Sequence, residues 1–449
     1  MFKDTLKFST RRLIQAKING GAILLFVALL AMIIANSPLK EYYNHFFSQE
    51  VSFNIGSFNL FQQHGGGSMT LLAFINDALM AIFFFSVGLE IKRELLVGEL
   101  SSPRKALLPV IAACGGMIVP VLLFMLIGEP GPAARGAAIP MATDIAFSLG
   151  VLSLLGKKVP LSLKIFLTAF AVVDDIGGII VIAVFYSQQL ITEFLIAAAG
   201  VILLLYIGGK SGIHNKLFYI FLGIVVWYLF VQSGIHPTIA GVIVAFTVPA
   251  RPKLRIYKYV NNIRESLKRL PEGENSSNLI LSNSELSILK SIESASDRVI
   301  SPLQAMDDDL HSLINYVVMP LFAFANASIS FEGLSLASLQ GISITIFISL
   351  VLGKLIGIFS FTYLSVKTGW LSMPDRMHEG SLFGISMIGG IGFTVSLFIA
   401  NLSYAGIPEI GATLLNQAKI GIIGGSLFAG LCGYLILRYV LEKKEKNNF

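Results

Sequence analysis

At 449 residues, 54% hydrophobic and only 13% charged, the chain has a mean hydropathy of +0.75. Ordinary soluble domains are roughly 25% charged, and a water-soluble fold of this length could not hide so much apolar surface. The formal net charge of +6 sits in short segments between apolar runs rather than in one patch, which argues against a nucleic-acid partner.

Apolar runs of about 20 residues recur along the chain, the length that crosses roughly 30 Å of hydrocarbon as a helix. They lack the period-two alternation of barrel strands, so the expected class is an all-α polytopic membrane protein. Twelve transmembrane helices are predicted at 18–36, 70–93, 105–128, 133–155, 161–187, 193–209, 214–232, 235–250, 313–329, 341–366, 380–401 and 413–438. The first run is long for a signal-peptide core and is read as a retained span. Residues Val51–Phe61 alternate in polarity, which suggests an external hairpin. Turn-forming stretches such as Gly128-Glu129-Pro130-Gly131-Pro132 separate neighbouring spans. Cys114 and Cys432 both fall inside apolar runs and imply neither a disulfide framework nor a metal site.

The organisation expected is one integral membrane transporter domain. Spans one to eight occupy 1–250, a polar cytoplasmic insertion occupies 251–306, and spans nine to twelve occupy 307–449. The insertion is mixed in charge, with helical patterns at Tyr257–Leu270 and Ser284–Ile300 around a flexible stretch at Pro271–Ser277, and reads as a linker or regulatory loop. Of the 33 lysines and arginines, all but four lie in the terminal tails and alternate loops. The exceptions are Lys40 and Arg135 in the other loops, and Lys354 and Lys419 within spans. By the positive-inside rule both termini are cytoplasmic, as expected of a bacterial inner-membrane protein with an even number of spans.

Spans three to five and ten to twelve are triples seven spans apart, so they enter the membrane from opposite sides. The middle span of each is interrupted, by Pro140 in span four and by Gly389-Gly390-Ile391-Gly392 in span eleven. Proline removes a helical hydrogen bond and glycines loosen the helix. Paired breaks of this kind in an inverted-topology repeat point to a transporter binding site at the repeat interface.

Four charges fall at mid-membrane depth: Asp144 in span four, Asp174 and Asp175 in span five, and Lys354 in span ten. Each costs about 2.5–3.5 kcal/mol at a helix centre on insertion scales. A structural ion pair accounts for one aspartate with Lys354 and leaves two acids without a basic partner. Burial and mutual repulsion disfavour two adjacent ionised carboxylates, so the pair can hold a proton at physiological pH. Deprotonated, the pair offers hard oxygens to a small cation, helped by the Thr143 hydroxyl and by carbonyls freed at broken helices. A site that takes protons or a cation, never both, is an exchanger that shuts down in acid. Half-helix ends also carry partial charges, so Asp144 could offset N-termini and Lys354 C-termini; alternatively Lys354 pairs with Asp174.

These residues resemble the NhaA-type sodium/proton antiporters. The likeness rests on Ile75–Ala81, Val87–Leu95, Ala142–Phe147, Val173–Gly177, Gly234–Gly241 and Pro320–Ala327, with Lys354 following Gly353 in span ten, and it covers nearly the whole chain in order. It implies Na+ (or Li+)/H+ antiport, electrogenic and activated at alkaline pH, with no cofactor, in a lipid bilayer and commonly as a homodimer. It implies that Asp174 and Asp175 handle the cation and protons, Asp175 being the more essential, with Thr143 and Asp144 at the crossing of unwound chains. Glu90, Arg93 and Glu94 would join acidic and basic groups at the start of span nine in a pH-responsive cluster. Asp307 falls where the family carries one such acid, although Asp307-Asp308-Asp309 replaces a mixed stretch and puts the pH set-point in doubt. His236 is a further pH-response candidate. As plain structure, Glu90, Arg93 and Glu94 would be a charged helix end and His236 an interfacial or capping histidine.

Two other classes were weighed. An intramembrane aspartyl protease needs two aspartates on facing helices sharing one proton, whereas Asp174 and Asp175 are neighbours whose side chains diverge by about 100°. A cation-coupled symporter of a small solute would want a larger polar pocket. No phosphate-binding glycine loop suggests ATP drive.

Overall fold

In a computed structural model of the chain, the described residues are 20–447 except 56–57, 60, 62–67, 187–189, 253–255, 269–282, 284–285, 291, 293–298, 332–340, 376 and 405. The architecture is almost entirely helical. Helix α1 (Gly20–Ala35) turns by 109° into α2 (Lys40–Ser48). Short strands follow: β1 (Glu50–Val51) pairs antiparallel with β4 (Met69–Thr70), and β2 (Asn54–Ile55) with β3 (Phe58–Asn59).

The long helices come next. They are α3 (Leu71–Val97), α4 (Pro103–Ile127), a 3₁₀ run at Pro132–Met141, α5 (Ile145–Leu154) and α6 (Leu161–Phe185). Helices α7 (Thr192–Lys210), α8 (Lys216–Ser233), α9 (Thr238–Thr247) and α10 (Ile256–Lys268) continue the order. The C-terminal part holds α11 (Pro302–Leu313), α12 (Met319–Asn326), α13 (Ile342–Lys367), α14 (Glu379–Ile388), α15 (Phe393–Tyr404) and α16 (Gly411–Asn447).

Among the described residues seven helices are long and apolar enough to cross a membrane, or up to ten when each bent pair counts as one. The pairs bent by 45° are the 3₁₀ run with α5, and α14 with α15, which are the two breaks expected from Pro140 and the glycines. Span nine differs from expectation. Helix α11 starts at Pro302, eleven residues earlier than predicted, because the Ser301 side chain accepts from the Gln304 N–H and Pro302 suits the first turn. Span eight shortens to Thr238–Thr247, entered through Pro237. The amphipathic helix α2 was not anticipated. Of the helical patterns in 251–306, the first corresponds to α10, while most of Ser284–Ile300 lies outside the described residues.

Small residues let the backbones approach where packing alone must hold helices together in lipid. A Cβ added at Gly115 of α4 would lie 2.2 Å from the Gly357 carbonyl oxygen of α13, and one at Gly241 of α9 would lie 2.3 Å from the Ala81 carbonyl oxygen of α3. The largest core joins α1, α3 to α6 and α11 to α16, with Phe84, Phe170, Phe322 and Phe398 fully buried in the bundle. A smaller core gathers α7 to α9 against Leu89, Leu303 and Met306. Three π turns interrupt the helices, at Ile75–Leu79, Ile314–Val318 and Ser349–Gly353. The first carries Asp77 and the last immediately precedes Lys354; such turns are frequent at functional sites.

Candidate functional site

The two broken helices cross at their breaks, and each satisfies the other's freed backbone. The Asp144 N–H donates to the Ile391 carbonyl at 2.7 Å. Hydroxyls do the rest: Thr143 Oγ1 donates to Gly389 O at 2.9 Å, Ser148 Oγ to Ile388 O at 3.4 Å, and Ser396 Oγ to Ile139 O at 2.8 Å. An unsatisfied carbonyl at this depth would cost several kcal/mol, so these side chains are what make the unwound chain tolerable.

Asp144 sits between two positive helix ends. Its Oδ1 accepts from the Phe147 N–H at 2.9 Å, capping α5, while its Oδ2 accepts from the Thr394 N–H at 3.1 Å and from the Thr394 hydroxyl at the start of α15. Two N-termini of roughly +0.5 charge each offset about one carboxylate. Asp144 is 1% exposed and needs no cation to be stable there.

Lys354, fully buried on α13, resolves the alternatives left open by the sequence. Its Nζ donates to Asp174 Oδ2 at 2.7 Å and to Thr143 Oγ1 at 2.9 Å. It also lies 5.5 Å from the centroid of the Phe170 ring. Because Thr143 in turn donates to Gly389 O, the ammonium is one hydroxyl away from the negative end of α14. The pairing and dipole roles therefore coexist.

Asp174 and Asp175, on the middle turns of α6, are 2% and 4% exposed. Each keeps a buried oxygen with no hydrogen-bond partner, Asp174 Oδ1 and Asp175 Oδ2. With all three aspartates ionised and Lys354 protonated, the centre carries an excess of two negative charges. The helix N-termini at Asp144 offset about one of these, which leaves about one uncompensated negative charge on the Asp174 and Asp175 pair.

A cavity of about 580 Å³ reaches this centre at Asp144. Glu90, Arg93, Asp307 and Asp308 line it, and so does Asp144, with Ser86, Ile145 and Leu149 along its walls. Arg93 Nη1 contacts Asp307 Oδ2 at 2.5 Å and its Nη2 lies 4.0 Å from Glu90 Oε1, so three of the predicted pH-cluster residues come together. Glu94 does not bridge to them; its Oε2 accepts from the Glu99 N–H at 3.0 Å and closes the turn after α3.

His236 lies apart from both groups. Its Nε2 is 4.0 Å from Asp77, its Nδ1 is 2.8 Å from the Thr238 hydroxyl, and its ring edges onto Phe398. Beside it runs an amide chain in which Asn401 donates to Asn326 at 2.9 Å and Asn326 to Asn76 at 2.7 Å. Sequence reasoning missed Thr394, Ser396 and this chain. Thr394 was findable: it follows the glycine break of span eleven as Asp144 follows the break of span four.

The crossed breaks, the buried carboxylates and the buried Lys354 define a polytopic membrane protein with an ionisable centre of the ion-transporter kind. The chain belongs to the Na+/H+ antiporter 1 family, whose sequence signature matches residues 11–437. It is 56% identical to the Na(+)/H(+) antiporter NhaA of Phocaeicola vulgatus, covering 98% of this chain and 97% of that protein. It is likewise 56% identical to that of Bacteroides fragilis, over 95% and 96% of the two chains. To that of Porphyromonas gingivalis it is 46% identical, over 98% of each. The family consists of transporters and not enzymes, which removes the protease alternative.

Proposed function

We propose that this protein expels Na+ or Li+ in exchange for external H+, with both competing for Asp174 and Asp175. The observation that carries the reading is the pair of orphaned carboxylate oxygens on Asp174 and Asp175, buried near the Asp144 that lines a charged cavity. Lys354 holds one oxygen of Asp174, which leaves Asp175 as the freer cation ligand; Thr143 and Asp144 sit close enough to shape the site. Emptying both carboxylates for each sodium ion bound would release two protons per cation. Exchange of two protons for one sodium moves one net charge, so transport is electrogenic and responds to membrane potential. Whether the second proton leaves Asp174 or the Lys354 ammonium does not alter that charge.

The direction follows from topology. Counting α9 and the α11–α12 rod as crossings beside the ten above gives twelve, with both termini in the cytoplasm of a bacterial inner membrane. Helices α4 to α6 and α13 to α16 form the two inverted repeats, and alternating access moves the crossed breaks against the rest of the bundle. The cavity then opens to the cytoplasm, past Glu90, Arg93 and Asp307, which with Glu94 and His236 set the pH at which transport begins. In acid, protons occupy the pair and sodium is excluded; as pH rises the pair empties and exchange starts. The strands at 50–59 support a homodimer contact.

The test uses inside-out vesicles with an acidified lumen. Sodium or lithium should collapse the pH gradient and potassium should not. No response to sodium at any pH from about 6.5 to 9 refutes the antiport reading and returns the solute symporter as the account to examine.

A further inference from the structure

Helix α10 is not used by the site. It begins shortly after α9, and the chain from 246 to 251 is held against the bundle. Lys92 donates to the carbonyls of Phe246 at 2.7 Å and Val248 at 2.5 Å, Leu303 N–H donates to Pro249 O at 3.3 Å, and His214 Nε2 lies 3.2 Å from Arg251 O. Arg251 is thus tied to the loop between α7 and α8. Five residues span at most about 17 Å, so α10 must start within the headgroup zone beside that anchor.

Its thirteen residues would reach only about 20 Å, too short to cross the hydrocarbon. The helix is amphipathic: Tyr259, Val260 and Ile263 share one face, while Asn261 and Glu265 lie opposite. Val260 is 47% exposed and Tyr257 is 54% exposed. The segment from 251 to 268 carries Arg251, Lys253, Arg255, Lys258, Arg264 and Lys268 against the single acid Glu265. A short basic amphipathic helix tethered at a membrane surface matches an anionic leaflet in both charge and shape.

We propose that α10 lies on the cytoplasmic leaflet as a sensor of anionic phospholipid, its Tyr259–Val260–Ile263 face in the headgroup boundary and its basic residues on lipid phosphates. This rests on the cytoplasmic orientation given above. Each basic residue near an anionic surface contributes roughly fivefold to partitioning, so neutralising three lowers the docked-to-free ratio roughly 100-fold.

The test places a nitroxide on Val260→Cys or Glu265→Cys in the full-length protein, with Cys114 and Cys432 replaced by serine. The protein is reconstituted in vesicles of phosphatidylcholine with or without phosphatidylglycerol. With phosphatidylglycerol, the label at 260 should collide with dissolved oxygen and avoid an aqueous nickel chelate, and the label at 265 should do the reverse. The contrast should fall in pure phosphatidylcholine and in the Arg251→Gln/Arg264→Gln/Lys268→Gln variant. A label at 260 that is open to nickel in anionic vesicles overturns the proposal. So does one shielded from both probes, which means protein covers the face, either the rest of the insertion or a second copy. Equal depth in both lipids overturns the charge dependence. Reaction of the cysteine at 265 with an impermeant maleimide in right-side-out but not inside-out vesicles would overturn the orientation alone.

Discussion

Replacing Lys354 by methionine removes the one basic partner of Asp174 among the described residues while keeping most of the side-chain volume. The pair is 2.7 Å apart, with the two side chains 0% and 1% exposed. Breaking a buried pair from one side costs about 3–5 kcal/mol because a charge is left uncompensated. Asp174 can escape that cost only by taking a proton. For a carboxyl with a reference pKa of about 3.9, protonation at pH 7 costs about 4 kcal/mol, and each further pH unit adds about 1.4 kcal/mol. The two routes agree, so the variant should lose about 4 kcal/mol at neutral pH, less in acid and more in alkali. The sign follows from linkage: the folded variant binds a proton that the unfolded chain releases, so its stability falls as pH rises. The assay is thermal unfolding in detergent followed through Trp227 and Trp370, scanned from about pH 5 to pH 9. Lys354→Met/Asp174→Asn should recover most of the loss, because a paired deletion leaves no stranded charge. A single variant as stable as the parent at pH 8, or a double variant no better than the single, would refute the reasoning.

Asp175→Asn should abolish the sodium response in vesicles while leaving folding intact, as judged by an unchanged elution profile. Arg93→Gln severs the contact to Asp307 and should shift the pH at which transport begins without abolishing it; the Asp307 side chain is only 11% exposed, so leaving it without its partner should cost about 1–3 kcal/mol. Gly357→Ala puts a methyl 2.1 Å from the Gly115 carbonyl oxygen and should lower thermal stability by about 1–3 kcal/mol, with yield and activity falling together. Asn401→Leu removes the amide donor to Asn326 and should lower thermal stability by about 1–3 kcal/mol, because the buried Asn326 Oδ1 loses that partner.

Much of the fold was legible because the bilayer simplifies the code. Apolar runs marked the long helices, and Pro140 and the glycines at 389–392 marked the two breaks that the structure bends by 45°. The charges at 144, 174, 175 and 354 stood out because few contexts tolerate them at that depth. What stayed hidden was relational. Thr394 is one hydroxyl residue among many until α15 is set across α5, and the Lys354 partner could not be chosen without the crossing. The shift of span nine to Pro302 hid behind polarity, since Asp307-Asp308-Asp309 reads as loop although Ser301 and Pro302 start a helix there. Glu94 shared the i,i+4 register of Glu90, yet the turn at 98–100 claims its carboxylate.

The central claim, that sodium and protons compete for one carboxylate pair, is tested most directly by proton release on sodium binding to purified protein in weakly buffered detergent solution. The account predicts that adding sodium releases protons, that release fades as rising pH empties the pair, and that Asp175→Asn releases none. Sodium binding without proton release, or release that survives in Asp175→Asn, would contradict it.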